Sequence, residues 1–140
     1  MDKKISEYIL ENKVMTIATS VNNVPYCANC FYVFDEEKNI LIFLSDDSTR
    51  HISEALKNNI VAGTINTEVT SVAKIKGLQF TGNFINPEGE RQKRFYDVYY
   101  NKFPFAKAKP SLVWGVELNF IKMTDNTLGF GKKIIFEKIT

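Results

Sequence analysis

Ser45-Asp46-Asp47-Ser48-Thr49-Arg50-His51 is the segment of this sequence best equipped for chemistry. An apolar run ends there and an amphipathic one begins. Free backbone N–H groups at a helix start attract anions. Arg50 offers a planar fork that fits phosphate, and the hydroxyls of Ser45, Ser48 and Thr49 add donors. The chemistry is that of a phosphate site. The competing reading is a capped helix with a solvated Arg50, because Ser, Thr and Asp are ordinary N-cap residues. Asp46 and Asp47 oppose an anion unless they point outward. His51 is the only histidine, and no nucleophile–His–acid pattern surrounds it. It can serve a phosphate, ligate a haem iron, or simply occupy the surface of a helix's first turn.

Other spacings carry less. Cys27-Ala28-Asn29-Cys30 is a C-x-x-C, but it lies in an extended run, where residues three apart face opposite sides. A redox pair needs a helix start to lower the thiol pKa. A zinc site needs two further ligands, and His51 is the only classical one on offer. Buried strand cysteines are the plainer reading. Gly77 to Gly82 has the outer spacing of a P-loop, but Asn83-Phe84 follows in place of Lys-Ser/Thr. Gly129-Phe130-Gly131 lacks the third glycine of a dinucleotide fingerprint and has no βαβ unit around it. Phe95, Tyr96, Tyr99, Tyr100 and Phe103 form a helical stripe that suits core packing. Trp114, the single tryptophan, either stacks on a flat ligand or fills a barrel mouth. Lys102, Lys107 and Lys109 read as a solvated segment.

The elements that must position these residues follow from periodicity. Residues 5–11 place Ile5, Tyr8 and Ile9 at helical spacing. Strands are predicted over Val14–Ser20, Val24–Asp35 and Ile40–Ser45, with turns at Asn22-Asn23 and Glu36–Asn39. The third strand is apolar on both faces, which makes it central. A helix follows over Arg50–Asn58, with Ile52, Ala55 and Leu56 on one face. Ile60–Asn66 and Val72–Ile85 are the next strands, the latter interrupted by Gly77 and Gly82, which mark a bulge or a close backbone approach. A helix over Pro87–Tyr100, a strand over Trp114–Met123, a loop over Asp125–Gly131 and a short strand over Ile134–Ile139 complete the chain. Strands dominate, so the expected class is mainly β: a six- to seven-stranded antiparallel barrel of Greek-key type with short flanking helices.

The 140 residues suit one domain, 1–140. Hydrophobic residues are 44% and charged residues 24%, which excludes a wholly disordered chain. The net charge of +2 is too small to argue for nucleic acid. No apolar run approaches a membrane span, and the first residues lack the apolar core of a signal peptide. The expected location is the cytoplasm, where a structural disulfide is not expected.

The order and spacing of these pieces resemble the pyridoxamine 5′-phosphate oxidase-like, FMN-binding split-barrel family. The likeness is carried by Thr16-Ile17-Ala18-Thr19 with Val24-Pro25, by Leu41-Ile42-Phe43-Leu44-Ser45 leading into Ser48-Thr49-Arg50-His51, and by Lys76 to Gly82. A closer likeness, over nearly the whole chain, is to the small YhbP-like branch of that family. It rests on Cys27-Ala28-Asn29, Phe31-Tyr32, Thr49-Arg50-His51, Val61-Ala62-Gly63-Thr64, Phe103-Pro104 and the long string from Lys122 to Lys133.

The resemblance implies a homodimer with two FMN sites at the subunit interface. It implies that Ser45, Thr49, Arg50 and His51 hold the FMN phosphate, and that the flavin ring lies against Cys27, Ala28, Asn29 and Cys30. Lys76, Gly77 and Gln79 would come from the partner subunit. Where the true oxidase carries an arginine this chain has Cys27, and near its substrate-binding lysine this chain has Tyr32. The C-terminal segment with the oxidase's substrate-binding Arg and His is missing too, so pyridoxamine phosphate is not the expected substrate. His51 replaces a more usual lysine, which weakens phosphate binding above the ordinary histidine value of ~6.5. The expected activity is an FMN-dependent oxidoreduction by hydride transfer at flavin N5, with no acid or base assigned. A flavin carrier without turnover, a haem protein with His51 on the iron, and an interaction dimer with an empty cleft are the alternatives.

Overall fold

The computed structural model describes residues 1–139. In chain order the elements are α1 (Lys3–Glu11), β1 (Val14–Val21), β2 (Val24–Asp35), β3 (Ile40–Leu44), α2 (Arg50–Lys57), β4 (Ile60–Asn66), β5 (Lys76–Ile85), α3 (Gly89–Lys102), β6 (Val113–Asp125) and β7 (Lys133–Glu137). Short 3₁₀ turns cover Val72–Lys74, Pro104–Ala108 and Asn126–Leu128. The strands run in the order β3-β2-β1-β4-β5-β6-β7, and β3 also pairs with β6. That last pairing closes the sheet into a barrel and removes most of its edges. Every pairing is antiparallel. Among the described residues no helix is long and apolar enough to cross a membrane.

Alternation along the strands divides the core in two. Met15, Ile17, Leu41, Phe43, Val61, Ile65, Leu78, Phe80 and Ile121 point into the barrel, where Ile5, Tyr8 and Ile9 of α1 join them. A second cluster lies under α3, where Phe95, Tyr99 and Phe103 cover Val33, Ile40, Ile42 and Val113. The helical aromatics are therefore core. β3 supplies both clusters, which is why its five residues are apolar on both faces. The β1–β2 hairpin turns on Asn22 and Asn23, with φ of 53° and 64°. Asparagine tolerates that left-handed region, and two such residues in a row make the tight turn whose twist suits a hairpin.

The structure differs from the sequence expectations at identifiable places. The fifth strand begins at Lys76, not Val72. The β4 ladder ends with Asn66 opposite Gly77, so Val72–Lys74 have strand-forming side chains but no strand to pair with. Of the two glycines in β5, only Gly82 behaves as predicted. The register slips between Thr81 and Gly82, and a Cβ there would strike the Glu117 carbonyl oxygen. A Cβ on Gly77 would meet nothing within 4 Å. Leu56 is 49% exposed, because Ile52 and Ala55 make the buried face of α2. The last strand stops at Glu137, and Ile139 beyond it lies in the open.

Candidate functional site

The strand lengths themselves create an opening. β2 has twelve residues and β3 has five. β3 pairs with β2 only from Tyr32 to Asp35, while its other edge lies along β6. The first two thirds of β2 is bonded to β1 on one side, from Val24 to Phe31, and to no strand on the other. Backbone groups in an antiparallel ladder alternate between the two sides. The Tyr32 N–H donates to the Lys13 carbonyl on the β1 side. By that alternation Cys30, Ala28 and Tyr26 also turn toward β1. The N–H and C=O groups of Cys27 and Asn29 therefore face the open edge. Pro25 has the same parity, and there its missing N–H breaks no ladder bond. Proline in a strand marks such an edge, and this was the sequence signal for it.

The first turn of α2 lies beside that edge. The Arg50 guanidinium sits 4.2 Å from the centre of the Tyr26 ring, and His51 Nε2 is 3.8 Å from Cys30 Sγ. Ser45 ends β3 and is fastened twice through its backbone. Its N–H donates to the Leu112 carbonyl at 3.0 Å, and its carbonyl accepts from Trp114 Nε1 at 2.8 Å. Its hydroxyl then reaches His51 Nε2 at 2.9 Å and Thr49 Oγ1 at 3.4 Å. Ser45, Thr49 and His51 thus form one polar cluster at the helix start, with Arg50 beside it.

Thr49 occupies the N-cap position, but its hydroxyl does not cap the helix. It donates back to the Asp46 carbonyl at 2.8 Å. The first-turn N–H groups of α2 have no side-chain acceptor, and such groups require some partner. Asp46 and Asp47 are exposed, and the Asp46 carboxylate accepts from Ser111 Oγ at 2.9 Å. Ser48 is exposed as well. The donor set of free N–H groups, the Ser45 hydroxyl, a guanidinium and an imidazole fits a phosphate monoester.

Residues three apart in the strand face opposite sides, so the reading of both cysteines as buried holds for Cys30 and fails for Cys27. Cys27 is exposed, Cys30 is buried, and both are free thiols. Burial pushes the Cys30 thiol up to about 11, which makes it a packing group and not a nucleophile. Among the described residues no three His, Cys, Asp or Glu side chains are grouped to hold a metal. Trp114 is buried and stacks on Phe84 with ring centres 5.4 Å apart, so its role is core packing and the anchoring of Ser45.

Lys76, Gly77 and Gln79 lie elsewhere in the chain. Asn29 of β2 is opposite Thr16 of β1, Thr16 is opposite Thr64 of β4, and Thr64 is opposite Gln79 of β5. Gly77 and Gln79 line a groove of about 340 Å³ with Thr64, Asn66, Ile75 and Thr124. Within one chain this groove is separate from the start of α2. Sequence reasoning also missed Thr19, Tyr26 and Glu54. Only Glu54 left a trace, four residues after Arg50 on the same helical face.

His51 gives the site a pH signature. Burial lowers its pKa below the ordinary 6.5, so the folded protein favours neutral imidazole and the unfolded chain takes the proton first. The stability this provides is present above pH 6.5 and is lost as pH falls through the depressed folded value. Denaturant melts of the ligand-free protein are expected to show a loss as pH falls below about 6.5 that shrinks in His51→Gln. Parallel pH profiles for the two proteins would refute the assignment.

No family model matches the chain. Curated relatives match along almost its whole length. A UPF0306 protein of Photorhabdus laumondii is 42% identical over 134 residues, covering 96% of this chain and 94% of the relative. The UPF0306 protein YhbP of Escherichia coli is 39% identical over 132 residues, covering 94% and 90%. Solved structures are similar in fold at low identity. A heme binding protein from Mycobacterium smegmatis has a TM-score of 0.77 at 14% identity, over 98% of this chain and 59% of its own. A FAD-binding protein from Mesorhizobium loti has a TM-score of 0.71 at 13%, over 88% and 94%. A NimC/NimA family protein from Clostridium acetobutylicum has a TM-score of 0.70 at 18%, over 97% and 91%. The fold is thus of the split-barrel type, and the identity shared with the curated relatives over nine tenths of the sequence makes this chain a member of the UPF0306 (YhbP) family.

Proposed function

We propose that the protein binds FMN and acts as a flavin-dependent oxidoreductase. One observation carries this reading. An unpaired strand edge, offering the backbone of Cys27 and Asn29, runs beside an uncapped helix start equipped with Ser45, Thr49, Arg50 and His51. A strand edge can satisfy the polar rim of a flat heterocycle, and the helix start can take its phosphate. The flavin-binding reading also agrees with the FAD-binding neighbour of the same fold. When bound, FMN supplies hydride transfer; the protein's part is to hold and orient it.

Arg50 and the first-turn N–H groups neutralise the phosphate, the Ser45 hydroxyl orients it, Thr49 joins by turning its hydroxyl away from the Asp46 carbonyl, and Cys30 and Ala28 give the ring a small-residue floor. His51 distinguishes this reading from haem ligation. Its Nε2 is turned to Ser45 and Cys30, so binding iron would break an existing contact. The outer faces of β1, β2 and β4 carry exposed Val14, Phe31 and Ile60. Burying them against a second copy would form the homodimer and bring a partner's Lys76, Gly77 and Gln79 to the FMN site. The cytoplasm is the compartment that suits two free thiols.

The test is a visible absorption spectrum of concentrated protein with and without added FMN, followed by mass analysis of the released chromophore. Bound flavin in a dimer is the expected result, and NADH or NADPH oxidation would separate enzyme from carrier. A Soret band lost in His51→Ala would replace this reading with haem. No chromophore even after FMN addition would leave only an interaction protein.

A further inference from the structure

We infer that Glu54 is a positioning residue that locks Arg50 into a phosphate-reading fork, making the site selective for the phosphorylated flavin; this rests on the FMN reading above. Glu54 lies one turn after Arg50 in α2. Its side chain is only 12% exposed, whereas that of Arg50 is 52% exposed. One carboxylate oxygen accepts from Arg50 Nε at 2.7 Å, and the other accepts from Thr19 Oγ1 at 2.9 Å. Thr19 is buried on the inner side of β1. The Tyr26 ring lies against the guanidinium from β2.

Arg50 is therefore held through its Nε edge and one face. Among the described residues no group accepts from its Nη1 or Nη2. Those two nitrogens form the end of the fork that meets a phosphate. An untethered arginine has many rotamers, and ordering it on binding weakens affinity. Here the ordering is already done. The Arg50 hydrogen bond, with help from Thr19, holds the Glu54 carboxyl below the usual carboxylate range, so the tether persists through neutral pH. An ordinary surface pair on a helix has no third anchor. This one is fixed to the barrel by Thr19, 35 residues earlier.

A carboxylate this close to a phosphate also repels it, and that opposition makes the role testable. Dissociation constants for FMN and riboflavin, read by flavin fluorescence, would be compared for wild type, Arg50→Ala, Glu54→Ala, Glu54→Gln and Thr19→Val. Glutamine can still accept from Arg50 Nε, so Glu54→Gln should bind FMN at least as well as wild type. Glu54→Ala should bind FMN about 2- to 12-fold more weakly. Riboflavin, which has no phosphate, should bind equally to both. Thr19→Val, a change of similar volume, should weaken FMN in the same direction and keeps the test open if Glu54→Ala fails to fold. Wild-type or tighter FMN binding by both Glu54→Ala and Thr19→Val would overturn the role and leave the carboxylate a mere repulsive neighbour. Equal loss of FMN and riboflavin would overturn it in favour of a structural role. If wild type and Arg50→Ala bind FMN equally, the phosphate reading itself fails and the positioning role falls with it.

Discussion

Arg50→Ala is expected to bind FMN about 10- to 150-fold more weakly than wild type, a loss of ~1.5–3 kcal/mol for a hydrogen-bonded charge. The loss is bounded below because the fork supplies the only formal positive charge in the cluster while His51 stays neutral. It is bounded above because the free N–H groups of α2 and the Ser45 hydroxyl remain. The effect should shrink as salt rises, since Arg50 is half exposed and the attraction is screened. Riboflavin affinity should not change. Thermal stability should fall only modestly, because Arg50 itself is half exposed and Glu54 keeps its hydrogen bond from Thr19. Titration of FMN into both proteins at two salt concentrations checks all of this. Equal FMN affinity in the two would remove the phosphate assignment and leave α2 an ordinary helix.

Much of this site was legible in the sequence, and the rest had a physical reason for being hidden. Strand positions could be read because alternation and turn chemistry are local. Asn22-Asn23 must turn, and the strand read over Val24–Asp35 is twice as long as the one read over Ile40–Ser45. The polar cluster could be read for the same reason, since Ser45, Thr49, Arg50 and His51 are consecutive or nearly so. The tether on Arg50 could not. It needs Thr19 to face inward opposite a glutamate that arrives 35 residues later, and inward position alone does not say what a side chain meets. The failure to cap was equally hidden. Thr49 is a sound N-cap residue, but the turn from Asp46 offers its hydroxyl a carbonyl first. Val72–Lys74 shows the opposite limit, where strand propensity was real but no partner strand was in reach.

Trp114→Ala is expected to remove about 3–5 kcal/mol of stability, the usual range for deleting a buried aromatic ring. That is a large share of the roughly 5–15 kcal/mol available to a domain. Trp114 is 4% exposed, stacks on Phe84 and sits opposite Phe43 in the β3–β6 ladder that closes the barrel. The substitution therefore opens a cavity at the seam and frees the Ser45 carbonyl. Trp114→Phe separates these two effects. It keeps a ring against Phe84 and removes the hydrogen bond to Ser45, for which ~0.5–1.5 kcal/mol is expected, while leaving a much smaller cavity than alanine does. Because that bond holds the end of β3, Trp114→Phe should weaken FMN binding more than its small stability loss alone would suggest. Denaturant melts followed by circular dichroism, with FMN titration of the phenylalanine variant, test both parts. A Trp114→Ala protein as stable as wild type would mean the seam repacks without the indole. Unaltered FMN affinity in Trp114→Phe would mean that the Leu112 carbonyl, which accepts from the Ser45 N–H, is enough to hold the serine in place.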